Sequence, residues 1–280
     1  MSALERSLAR SDLRGALLFV LARLPLGAAN RLAWLIAWLW WTVVPIRKAV
    51  AVQNVGRAFP EWPPSKVRAT LTAMLHNIVL GYIELLIAER TGATMVEAVG
   101  VEQLPPGSIV LAGHGGSWDL SLLALADRTP TALFLKPPSD PWARTQIAAL
   151  RARHDLLGLS TGATLADGYL AMQSGRALLF IQDQRFNQGI SSLFFGAPCR
   201  TSTGFAVSIL RTGRPVYAVW QERLGVGRHR FWIAPFSMPA RTGDDAGDVQ
   251  ALTDAANAWY ADRIRERPSG WLWLHDRWKP

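Results

Sequence analysis

Ser108-Ile-Val-Leu-Ala-Gly-His-Gly-Gly-Ser-Trp-Asp119 is the stretch on which the fold turns. Residues 108–112 are short and apolar, the pattern of a buried strand. Gly113, Gly115 and Gly116 then mark a tight turn, and Trp118–Ala126 reads as a helix. The alternation continues outward. Residues 131–135, 177–181, 215–220 and 230–234 read as strands, and residues 141–154, 164–174, 203–211 and 249–267 as helices. Upstream, Pro60, Pro63 and Pro64 break the chain, Ser65 reads as an N-cap, and a helix is predicted over residues 66–88. This order predicts an α/β fold, a mostly parallel central sheet flanked by helices. Sites in such sheets collect where strands end and helices begin.

The first fifty residues differ in kind. Residues 13–26 and 32–46 are two apolar runs. Arg14 and Arg23 interrupt the first, and Arg47 and Lys48 close the second, which carries no charge. Residues 1–70 hold 10 Lys/Arg against 3 Asp/Glu, so most of the net charge of +9 sits beside the most apolar part of the chain. Cations, hydrocarbon and tryptophan together suit an anionic membrane surface. Trp34, Trp38 and Trp41 share one helical face. Residues 1–50 are therefore expected to anchor the protein, as a helix or hairpin lying in one leaflet or as a single span, with residues 51–280 as the folded domain. A buried core helix is the plain alternative. Arg23 and Pro25 argue against a cleavable signal peptide, so the membrane is expected to be met from the cytoplasmic side.

Composition excludes other classes. Half of the 280 residues are hydrophobic and 13 are tryptophan, which excludes disorder. The one cysteine, Cys199, excludes a disulfide framework and reads as an inert small residue. No histidine pair or cysteine pair has metal-ligand spacing, so no metal is expected. The charge pattern lacks the basic stripe of a nucleic-acid binder.

His114 and Asp119 lie five apart across the glycine turn. A carboxylate on one ring nitrogen fixes the tautomer and leaves the other nitrogen free to take a proton from an alcohol. No nucleophile accompanies them, so the substrate is expected to bring the hydroxyl. Backbone N–H groups at Gly115 and Gly116 are placed to hold an oxyanion or a phosphate. The plain alternative makes His114 structural and Asp119 a first-turn acid. Arg151 and Arg153 are two apart on a helix and cannot both face one way. One is expected to bind a phosphate or an acidic carrier, the other to be solvated. Lys136 ends a strand. Thr201 and Thr203 are expected to cap the next helix.

Several stretches in register resemble the glycerolipid acyltransferase superfamily, and its bacterial lipid A acyltransferase branch in particular, whose relatives include the mannosyl-phosphatidylinositol acyltransferases. Strand–H-x-x-x-x-D–helix is similar to the superfamily's motif. Residues 54–60 (NVGRAFP), HGGSWD, Lys136-Pro137 with Asp140-Pro141, Arg151 and Arg153, Asp183-Gln184, Phe194-Phe195-Gly196 with Thr201, Thr203 and Gly204, and the closing Trp271-Leu272-Trp273-Leu274-His275 with Arg277-Trp278-Lys279 all resemble family stretches. The resemblance implies a glycerolipid-acyltransferase-like fold and an O-acyltransferase domain over residues 51–280. It implies transfer of a fatty acyl group from an acyl thioester, on acyl carrier protein or coenzyme A, to a hydroxyl of a membrane lipid or glycolipid. It makes His114 the general base and Asp119 its orienter. It puts Gly115, Gly116, Ser117, Lys136, Arg151, Arg153, Asp183, Gln184 and Thr203 against substrate, with Asp183 supporting His114 or sugar hydroxyls. No cofactor beyond the thioester co-substrate and no nucleic-acid partner is implied, and the place is the cytoplasmic face of the bacterial inner membrane. Ser117, Asp119 and Arg185 stand where relatives often carry Asn, Glu and an acidic residue, which leaves the acceptor open beyond lipid A. The rival readings are an acyl-thioester hydrolase using the same pair and a non-enzymatic membrane-binding protein.

Overall fold

The structure, a computed structural model, describes residues 13–159 and 162–279. The first part of the expected anchor, residues 1–12, lies outside them. Described helices are α1 (Leu13–Leu21), α2 (Leu26–Thr42), α3 (Lys48–Ala58), α4 (Pro64–Thr91), α5 (Trp118–Ala126), α6 (Pro141–Arg153), α7 (Leu165–Gln173), α8 (Gly204–Thr212) and α9 (Asp245–Glu266). Described strands are β1 (Val96–Val99), β2 (Ile109–Ala112), β3 (Thr131–Phe134), β4 (Leu156–Leu159), β5 (Ala177–Ile181), β6 (Ile190–Phe194), β7 (Ala197–Thr201), β8 (Val216–Gly225) and β9 (Arg228–Pro235).

Among the described residues, β1-β9-β8-β2-β5-β3-β4 form one sheet in that order. All neighbours run parallel except β8 and β9. Every residue of β2 is buried because both faces of the sheet are covered. Successive side chains point to opposite faces. Ile109, Leu111, Leu178 and Phe180 join Tyr260, Ile264, Trp271 and Trp273 on one face. Val110, Ala112, Ala177 and Leu179 join Ala33, Leu80, Leu120 and Leu123 on the other. Each fully buried Leu, Ile, Val or Phe among them contributes roughly 1.5–3 kcal/mol. β2 and β5 lie side by side at the centre, so the loops leaving their carboxyl ends meet.

The strands and helices expected from residue 64 onward are present. Ser65 is not the cap of α4. That helix starts with Pro64, and Pro63 holds the cap position with no side-chain bond. Proline suits a first turn because its fixed φ is already helical. Four strands went unread. β1 and β4 have four residues each, and β6 and β7 form an antiparallel hairpin outside the main sheet. Its turn is Phe195-Gly196, both at positive φ (50° and 75°). Asn-Gly would have signalled such a turn, and a phenylalanine hides it. Packing on Phe59 and Trp273 holds Phe195 there.

The apolar run at 32–46 belongs to α2, which lies along α4. Ala29, Ala33 and Ala37 are fully buried at that contact. Leu35, Trp38 and Leu39 point outward, as do Leu17 and Val20 of α1, while the half-exposed Trp34 ring stacks on buried His76 of α4, 4.1 Å between ring centres. Trp41 is half-buried beneath the Lys48 ammonium, 4.1 Å from its ring centre. α2 has 17 residues, fewer than the ~20 of a span. Among the described residues, the helix long and apolar enough to cross a bilayer is α4, and more than half of its apolar window is buried inside the protein. α4 is a core helix.

Candidate active site

β2 delivers His114 to the carboxyl edge of the sheet. The following turn needs glycine at two points. A side chain at Gly115 would meet the Trp220 ring at 2.5 Å, and Gly116 has a φ of 55°. The turn is thereby pressed onto β8, and His114 emerges with about a fifth of its side chain exposed.

β5 delivers Asp183 beside it. The His114 backbone N–H donates to Asp183 Oδ2 at 2.8 Å, and the ring Nδ1–H donates to Asp183 Oδ1 at 2.8 Å. Trp271 Nε1–H donates to Oδ2 at 2.7 Å. Asp183 is fully buried. Burial alone would raise its proton affinity, but the charge of His114 and these N–H donors hold it below the ordinary 3.8. Burial alone would lower the imidazole's affinity. The charge and hydrogen bond of Asp183 outweigh that, Asp119 adds its charge, and His114 is held above 6.5. An anionic carboxylate can only accept, so Nδ1 carries the proton and Nε2 keeps its lone pair.

This corrects the pairing read from sequence. Asp119 does not hold Nδ1; Asp183 does. Asp119 is the second residue of α5 and turns with that helix toward α4 and α6. Its carboxylate faces the Tyr82 hydroxyl and the Arg151 guanidinium, and burial raises its proton affinity against their pull.

The oxyanion expectation is also corrected at Gly116. Its N–H donates to the Gly270 carbonyl at 2.7 Å, so it is not available to substrate. Ser117 is turned inward, where its Oγ meets Arg223 Nη2 at 3.1 Å. Arg223 is held in turn by the fully buried Glu84, whose oxygens also accept from Gly227 N–H at 2.6 Å and His229 Nε2 at 2.9 Å. Ser117 thus braces the turn from behind.

An apolar cavity of about 320 Å³ opens between α4, α5 and α6, lined by Leu85, Leu86, Leu122, Leu123, Trp142 and Leu150. Tyr82, Asp119 and Arg151 lie on its wall. A narrow crevice lined by Tyr82, Asp119, Gly116 and Ser117 shares Tyr82 and Asp119 with that wall and reaches the glycine turn; His114 itself lines neither the crevice nor the cavity. Ligand cavities are commonly about 300–1,000 Å³ and mostly apolar.

The other expected residues fall as follows. Arg153 also lines the cavity, but it is paired with Glu89 at 2.8 Å rather than simply solvated. Lys136 is exposed, and Gln184 is half-buried. Neither lines the cavity or the crevice, and nor does Thr203. Thr203 holds the cap position of α8 without a side-chain bond. Thr201 does not cap; its Oγ1 meets Arg277 Nη2 at 2.8 Å. Tyr82, Trp271 and Glu84 were missed. Tyr82 and Glu84 carry no sequence signal. Trp271 stands in the closing stretch that resembles the family, with no role assigned to it.

The class that fold and site define is an α/β protein with a buried aspartate steering a partly exposed histidine at the sheet's carboxyl edge, and with an apolar cavity between the neighbouring helices whose wall carries Asp119. The chain belongs to the bacterial lipid A biosynthesis acyltransferase family, whose profile matches residues 10–280. Two curated relatives, both named phosphatidylinositol mannoside acyltransferase, come from Mycobacterium tuberculosis strains H37Rv and CDC 1551. Each is 27% identical over 181 residues, which covers 61% of this chain and 54% of the relative. The chain thus spans about half the length of the curated relatives it matches.

Proposed function

We propose that the protein transfers a fatty acyl group from an acyl thioester to a hydroxyl of a membrane glycolipid. The observation that carries this is the 2.8 Å bond from His114 Nδ1 to the buried Asp183, which leaves Nε2 as a base on a partly exposed ring. The acceptor hydroxyl docks against Nε2. As its oxygen attacks the thioester carbonyl, the proton passes to Nε2. The C–S bond then breaks, and the thiolate leaves with that proton. General-base help of this kind contributes roughly 10²–10⁴-fold. The cavity between α4, α5 and α6 takes the acyl chain, and Tyr82, Asp119 and Arg151 form the polar boundary between chain and reacting centre.

The family and the relatives' names support a glycolipid acceptor. Mannosylated phosphatidylinositol is the first candidate and lipid A the second. Coenzyme A and acyl carrier protein are the two donors to compare. We further propose that the outward face of α1 and α2 lies in one leaflet on the cytoplasmic face of the inner membrane. Exposed Leu17, Val20, Trp34, Leu35 and Trp38 support this placement, and Arg31, Arg47 and Lys48 stand along the same segment. Each cation near an anionic surface contributes roughly 1 kcal/mol. The packing of α2 on α4 favours lying in the leaflet over spanning it.

Comparing lipid extracts from cells with and without the gene by mass spectrometry tests the proposal. A glycolipid should gain one acyl mass only when the gene is present, and fragmentation should place it on a sugar hydroxyl. Identical glycolipid profiles would contradict it.

A further inference from the structure

The last stretch of the chain crosses both loops of the candidate site. After a short turn at Pro268–Gly270, the Ser269 carbonyl accepts from Asn77 Nδ2 at 3.2 Å and the Gly270 carbonyl from Gly116 N–H at 2.7 Å. Trp271 pairs as an antiparallel bridge with Gly115. Its indole N–H reaches Asp183 Oδ2 at 2.7 Å. Four residues on, His275 Nε2 accepts the backbone N–H of Arg185 at 2.9 Å. Burial lowers the proton affinity of His275 to about 4, so it is neutral and able to accept. One strap therefore holds the turn after His114 and the loop carrying Asp183.

Packing alone would not require the indole nitrogen to end on a carboxylate. Trp271 is almost fully buried, with its ring against Trp273 and Phe194 at 4.8 and 5.6 Å between centroids. A phenylalanine could fill most of that space. Asp183 Oδ2 accepts two N–H groups, from His114 and Trp271, while Oδ1 accepts the ring N–H. Donors aimed at a buried carboxylate favour its charged form. Fewer donors leave it more basic, and it then draws the proton more strongly onto the neighbouring imidazole.

We propose that Trp271 is a positioning residue whose indole N–H, held on Asp183 Oδ2, tunes the proton affinity of His114. This rests on His114 being the general base. Two changes at position 271 test it: Trp271→Phe, and replacement by 3-benzothienylalanine, which keeps the ring shape and puts sulfur where the N–H was. Both are read by the pH dependence of acyl transfer and by NMR titration of the His114 ring. The acidic limb of kcat and the imidazole titration should both move up by about one pH unit, a tenfold change in proton affinity. At pH values below the shifted limb kcat falls about tenfold, with KM within about twofold. A purely structural tryptophan would lower the melting temperature without moving either titration. An unmoved or lowered titration in the folded benzothienyl variant would overturn the proposal, even if Trp271→Phe failed to fold. The NMR titration needs no turnover. Absence of acyl transfer in the wild type would count against the proposed function, and the titration would still decide the role of Trp271.

Discussion

Asp183→Asn separates the two carboxylates beside His114. An asparagine there presents one oxygen and one NH₂. The Oδ2 position faces two donors, His114 N–H and Trp271 Nε1–H. An NH₂ there would meet both head-on, so the amide oxygen takes that position. The NH₂ is left facing His114 Nδ1, where it donates. Nδ1 must then become the acceptor, the ring proton moves to Nε2, and the nitrogen toward substrate can no longer take a proton. The same carboxylate-to-amide change in a Ser-His-Asp triad lowers kcat about 10⁴-fold through this wrong tautomer, equivalent to about 5 kcal/mol in the barrier. Asp183→Asn should therefore lower kcat by about 10³–10⁴-fold with KM nearly unchanged. Asp119→Asn leaves the His114–Asp183 bond in place and should lower kcat by about tenfold or less, since it removes only a neighbouring charge. Steady-state transfer assays on both variants, with circular dichroism as a folding control, decide the matter. Near-wild-type turnover in Asp183→Asn, or a larger loss in Asp119→Asn, would refute this reasoning.

Other outcomes follow from the same geometry. Because His114 is raised above 6.5 and must be neutral to act, kcat/KM of the wild type should rise with pH through a limb above 6.5; a limb below 6 would contradict the pairing with Asp183. Glu84→Gln should lower unfolding free energy by about 3 kcal/mol, because it leaves the largely enclosed Arg223 without its fully buried carboxylate. Burial would raise the Glu84 carboxyl, but His229, Arg223 and the Gly227 N–H hold it below 4.5. Its contribution is thus present above 4.5 and lost as pH falls through the lowered value, so urea melts of wild type and variant should converge on acidification. Leu35→Glu with Trp38→Glu changes two outward positions of α2. Flotation with anionic vesicles should fall at least tenfold while the melting temperature holds, and undiminished flotation would remove α2 from the membrane surface.

The α/β order was legible because short apolar runs and amphipathic helices alternate with few interruptions. The glycine turn after β2 was legible for the same reason, since only glycine relieves the crowding against Trp220. The partner of His114 was not legible from local spacing, and only the resemblance pointed to Asp183, as a support for His114 or for sugar hydroxyls. Asp119 is near in sequence, and α5 carries it round to Tyr82 and Arg151. Asp183 lies 69 residues away and becomes adjacent only because β2 and β5 pair in parallel. Sheet order is a long-range property that no local spacing reports. The hairpin of β6 and β7 was hidden by Phe195, whose strained backbone is held by distant rings. The C-terminal tryptophans looked like core residues and are core residues by burial. A single N–H gives Trp271 its second role, and hydropathy patterns do not register one atom.

Whether His114 takes a proton from a lipid hydroxyl during acyl transfer can be decided by one assay. Purified protein in mixed micelles is given a labelled acyl thioester, with and without a mannosylated phosphatidylinositol acceptor, and both free thiol and acylated lipid are measured. Thiol release should depend on acceptor, with matching acylated lipid, and both should be lost in His114→Ala. Free fatty acid released equally without acceptor, or wild-type acyl transfer by His114→Ala, would contradict that role for His114.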